Sequence, residues 1–130
     1  MDVLLLARFA VESGKVTASV VKPKLFEPNR NLEISVSRIH GLRCSDIVEV
    51  GVDVVCRHQS AKRLYGWAEL SATRIEESGL SIEHDDCPLR HSRIAGWPVE
   101  PEARKELQIT LAARARPVRL SKVIEVDVYE

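Results

Sequence analysis

The chemistry in this chain gathers in residues 88–98, PLRHSRIAGWP, where Arg90, His91 and Arg93 stand almost side by side. Arginine grips a carboxylate or phosphate through a planar fork of N–H groups, and histidine changes charge close to neutral pH. Together they are the parts of an anion holder with an acid or base at hand. Arg38 joins them from LEISVSRI, where alternation calls for an apolar side chain. A charge placed there costs free energy unless it is paired or faces a cleft. Lys22, in VKPKLFEP, completes a candidate catalytic set of Lys22, Arg38, Arg90 and His91. Such a set suits a phosphorylated substrate or a nucleotide: Arg38 and Arg90 hold the anion, His91 moves a proton and Lys22 assists. The structural alternative needs only acids, and Asp85 and Asp86 are near in the sequence. Internal ion pairs are the favoured reading, with the cluster bracing the fold. Arg8, inside the apolar run VLLLARFAVE, raises the same question.

Other chemistries fit less well. His84, Cys87 and His91, with Asp85 or Asp86, are zinc-type donors at spacings of three and four. The chain has no CxxC pair and no HExxH helix, and Pro88 interrupts any helix across these positions, so no metal and no cofactor is expected. Cys87 becomes a nucleophile only if Arg90 and His91 lower its pKa. Ser92 beside His91 carries no weight alone, because triads assemble in space, and there is no GxSxG elbow. Phosphate-cradling glycine loops are absent too. Trp97, between Gly96 and Pro98, is either a plug beneath a loop or an exposed anchor, with burial favoured. Trp97 and Arg93 are the candidate binding residues.

Composition narrows the classes further. The 130 residues carry 19 basic and 19 acidic side chains, a net charge of zero that removes the usual footprint of a nucleic-acid binder. The bases late in PEARKELQITLAARAR follow the helix dipole, with glutamates leading and arginines trailing. A single-strand binder stacking bases on Trp67 or Trp97 needs a basic groove that this balance does not promise. Three scattered cysteines read as reduced thiols, and neither a membrane span nor a secretory signal is visible near Asp2. A cytoplasmic protein is expected.

The elements that must position these residues follow from periodicity. Residues 3–12 read as a buried strand, paired in a hairpin through Ser13-Gly14-Lys15 with a second strand over Val16 to Val21. Pro23 and Pro28 bracket an irregular segment from which Phe26 tucks onto the core. Residues 32–39 alternate, with Leu32, Ile34 and Val36 on one face and Glu33, Ser35 and Ser37 on the other. In SDIVEVGVDVVCRH, Asp46, Glu49, Asp53 and Arg57 draw one polar stripe, so a helix is expected there, capped by Ser45. LYGWAEL reads as a strand, SATRIEES as a short helix with Thr73 and Glu76 in a capping box and Gly79 closing it, and LSIEH as a strand. Asp85 to Pro98 reads as loop. Pro101 opens a last helix with Ala103, Leu107, Leu111 and Ala115 as its buried stripe, ended by Pro117. A strand-like tail fills about 118–130, most clearly in VIEVDVY. The expected fold is therefore one α+β domain over residues 1–130: a mostly antiparallel sheet with two main helices and one short one.

The ordered motifs LARFAV, VKPKLFEP, ISVSRIHGL, YGWAEL and PLRHSRIAGWP resemble those of a group of small uncharacterised bacterial proteins marked by VKPxxF, R-x-x-GL and RHxxIxGWP. The resemblance reaches to about residue 116 and brings no established activity. It implies that Lys22, Arg38, Arg90, His91 and Trp97 belong to one arrangement. With no recognisable catalytic constellation, the leading expectation is a non-catalytic, protein-contacting module. Its partner is another protein, or a second copy, added along an open strand edge in VIEVDVY. An enzyme or binding protein for an anionic small ligand is the rival.

Overall fold

A computed structural model describes residues 4–57 and 63–126. The start of the first expected strand, the expected helix end at His58 and the last four residues of the tail lie outside the described residues.

The first apolar run forms β1 (Leu5–Ala10), and the alternating run forms β2 (Ile34–Arg38). Then come α1 (Cys44–Arg57), β3 (Arg63–Ser71), α2 (Ala72–Glu77), β4 (Ser81–His84), β5 (His91–Ala95), α3 (Pro101–Arg114) and β6 (Arg116–Glu125). Pro23–Phe26 adds a short 3-10 turn. The six strands make one antiparallel sheet in the order β4-β5-β2-β1-β3-β6. The architecture is α+β, as the periodicity predicts.

Alternation along the strands assigns two faces. Leu6, Ala10, Ile34, Val36, Ala68, Leu70 and Ile94 pack with Phe26, Trp97, Ile75 of α2, and Leu111 and Ala112 of α3. Ala7, Phe9, Leu64 and Trp67 pack on the opposite face with Ile47 and Val55 of α1. Phe9 meets Trp67 edge-on at 6.1 Å and 63°, an arrangement worth about 0.5–1.5 kcal/mol beyond area burial. Among the described residues, the strand members of this second cluster come from β1 and β3, with β6 packed against them, and no residue of β2, β4 or β5 belongs to it.

Several local expectations are corrected. The hairpin at Ser13–Lys15 does not form: β1 pairs with β3 along its length and with β2 at Leu6 and Ala7, and the Val16–Val21 run joins neither side of it. That run closes on itself instead, with one Val16–Val21 bridge and a Thr17–Val20 turn in which Thr17 Oγ1 accepts from the Val20 N–H. Residues 91–95 are strand, not loop. Ser92 occupies a buried position where an apolar residue announces a strand, and a 2.6 Å hydrogen bond with His84 Nδ1 satisfies its hydroxyl. Helix α1 starts two residues earlier than a Ser45 cap allows, and the Asp46 carboxylate accepts from the Arg43 N–H. The cap of α2 is Ser71, not Thr73: β3 runs up to Ser71, whose hydroxyl accepts from the Arg74 N–H. Pro117 does not end α3. Ala115 has already turned extended, and Pro117 sits in β6 opposite Ala68, on an edge strand where its missing N–H is tolerated.

Candidate functional site

The cluster predicted around His91 is a network of ion pairs centred on the β4–β5 connection. Arg93 stands on β5 opposite Ser35 and reaches acids on either side. It lies 3.3 Å from Glu33, 3.2 Å from Glu83 and 3.5 Å from Asp85. The last contact has ion-pair distance without hydrogen-bond alignment, which leaves Arg93 Nε buried and unbonded among the described residues. His91, opposite Ser37, donates from Nδ1 to Asp85 Oδ1 at 2.6 Å in its neutral or charged form. Asp85 also accepts from the Cys87 N–H at 3.0 Å. That bond first, and the His91 hydrogen bond second, hold the Asp85 carboxyl below its usual value. Arg38 pairs with Asp86, which also accepts from the Arg90 N–H. The loop is drawn tight by the His91 N–H donating to the Pro88 carbonyl, and it places Asp86 and Arg90 at positive φ, 51° and 72°.

The candidate residues are therefore not gathered in one hollow. Arg38 and Arg90 are ladder neighbours, the Arg38 N–H donating to the Arg90 carbonyl at 2.8 Å. The register puts Arg38 on the face of Val36, and His91 and Arg93 on the other face with Ser37 and Ser35. Lys22 is exposed at the start of the 3-10 turn, and no hydrogen bond or ion pair among the described residues ties it to the others. Trp97 is only 4 % exposed and its Nε1–H donates to the Ile94 carbonyl at 3.1 Å, so it plugs the α3 side of the core. His84, Cys87 and His91 do not converge on a metal: no group of three or more His, Cys, Asp or Glu among the described residues is placed to hold one.

One concavity borders this network. A groove of about 420 Å³ runs between the C-terminal turn of α1 and β1, β2 and the β4–β5 loop. Of the candidate catalytic residues Lys22, Arg38, Arg90 and His91, His91 alone lines it.

Arg8 lines the groove where β1 and β2 part. Strands β1 and β2 share only two register pairs, Leu6 with Arg38 and Ala7 with Ser37. Beyond them the Arg8 guanidinium spans the gap, donating from Nε to the Leu25 carbonyl at 3.1 Å and from Nη1 to the Ser35 carbonyl at 2.8 Å. Burial lowers the Arg8 pKa to about 10, with no acid acting on it. The apolar run around Arg8 signals an anomaly; its position on the groove depends on strand divergence, which no local pattern encodes.

The two sheet edges differ in character. β4 is short, whereas β6 is ten residues long and has no strand on its outer side among the described residues. β6 is also irregular: Leu64 opposes Ile124, yet Gly66 opposes Arg119, so the register slips within it. No helix among the described residues is long and apolar enough to cross a membrane. No protein family, curated protein or solved structure matches this chain.

Proposed function

We propose that this chain is a protein-contacting module whose recognition surface is the β2–β5–β4 half of the sheet. The observation that carries the reading is Arg93 held among Glu33, Glu83 and Asp85, beside the exposed Ser35, on the half of the sheet that contributes no residue to the α1 cluster. Side chains fixed by one another lose less rotamer freedom when a partner binds, which is what a preorganised recognition surface requires. One arginine stands against three carboxylates, so the surface is locally acidic and favours a partner that offers basic side chains. The β6 edge suits strand addition less well. Pro117, Lys122 and the register slip are devices that blunt an edge.

A photo-crosslinking residue tests this. Placed at Ser35, which is exposed on that half of the sheet, it is expected to trap one discrete protein in an extract of the source cells. Arg93→Glu is expected to abolish that product, and the same probe at the exposed Glu76 of α2 to give none. Equal products from Ser35 and Glu76, or a product indifferent to Arg93→Glu, refute the proposal.

A further inference from the structure

We infer that the groove beside α1 is a binding site for a monocarboxylate with an apolar body, gripped by Arg8. This stands apart from the protein contact, because it concerns a small acid inside the groove.

A guanidinium has five N–H groups, and Arg8 uses two of them on the Leu25 and Ser35 carbonyls. Among the described residues the others have no acceptor, and no carboxylate lies within ion-pair distance. On the opposite face of the sheet arginine is matched: Arg93 meets three acids, and Arg57 lies 3.0 Å from Asp53. Arg8 is the desolvated cation facing the groove without one. A planar carboxylate fits the free part of its fork and restores the charge balance that burial removed. Bracing alone explains the two carbonyl bonds; it does not explain a charge left unmatched at the wall of a cavity.

The rest of the lining sets the ligand class. Phe9, Val11, Val36, Val54 and Pro88 give the groove apolar walls, which suit a hydrocarbon or aromatic body. Glu27 and Glu33 stand at the same groove and repel a dianion. The helix end present is the C-terminal turn of α1, whose partial charge is negative, so the N–H array that favours phosphate is missing. A single negative charge on an apolar frame remains.

Benzoate is the probe. In the full chain labelled with nitrogen-15, benzoate at constant ionic strength is expected to move the Arg8 Nε–H signal and the Ser35 and Ser37 amides along one saturable curve. Benzamide and inorganic phosphate are expected to bind at least about tenfold more weakly, because one lacks the charge and the other carries too much. Arg8→Lys keeps the charge but loses the fork, with a similar loss expected. Should Arg8→Lys fail to fold, Ser35→Trp fills the groove from its exposed floor while leaving the backbone carbonyl that holds Arg8. A folded Ser35→Trp protein without the benzoate response supports the site. A retained response in that variant, no saturable shift at Arg8, or equal responses to benzamide or phosphate overturns it.

Discussion

At the scale of the residue, Asp85 carries the clearest consequence. It accepts from His91 and from the Cys87 N–H, and lies at ion-pair distance from Arg93 without a hydrogen bond. Its carboxyl is held below the ordinary value of 3.8, chiefly by the Cys87 N–H and then by His91. A lowered acid pKa means that the unfolded chain binds the proton more tightly than the folded one. The resulting stability is present above the ordinary value and is lost as pH falls through the lowered one. Asp85→Asn is therefore expected to lower the urea midpoint near pH 5, and the gap from the parent to shrink as the pH falls below the ordinary carboxyl value of 3.8. A gap that stays constant below that value contradicts the assignment. The same network explains why a histidine between two arginines is not by itself a catalytic signature: acids four to ten residues upstream meet its members before any ligand does.

At the scale of the element, α1 rests on the sheet through Ile47, Gly51 and Val55, and the glycine makes the tight approach. A Cβ at Gly51 would come 2.7 Å from Phe9 Cε1 and 2.9 Å from Leu64 Cδ2. Phe9 is itself wedged against Trp67, so its ring has little room to withdraw. Gly51→Ala gains about 1 kcal/mol of helix propensity but is expected to lose about 1–3 kcal/mol to overpacking. Net destabilisation, read as a lower urea midpoint with unchanged slope, is the expected outcome; a raised midpoint refutes the close packing. The polar stripe Asp46, Glu49, Asp53 and Arg57 makes this helix legible in the sequence despite its valines, and Pro101 makes α3 legible at its first residue. β2 is legible from Ile34 and Val36. β5 is not, because Ser92 and Arg93 hide the alternation, and the satisfaction of Ser92 comes from His84 on a neighbouring strand. Pairing partners are illegible for the same reason: the ladder sides of β1 go to β2 and β3, a contest between distant segments that turn residues at Ser13-Gly14 cannot report. At the candidate site, the ion pairing of Arg38 and Arg93 is legible in the nearby acids, whereas the groove is not.

At the scale of the whole molecule, the sheet ends in one short edge and one long, blunted edge. If Pro117 and Lys122 hold β6 apart from other strands, replacing both by threonine should increase concentration-dependent association, measured as a rise in mass by light scattering. An unchanged mass would mean that the register slip alone protects the edge. The junction between β1 and β2 has a wider reach. With two register pairs joining them, β4, β5 and β2 form one leaf and β1, β3 and β6 another, bound along a narrow spine. Arg8 sits where the leaves part. Its two carbonyl bonds, to Leu25 and Ser35, therefore make part of the seam that the strand ladder leaves unmade.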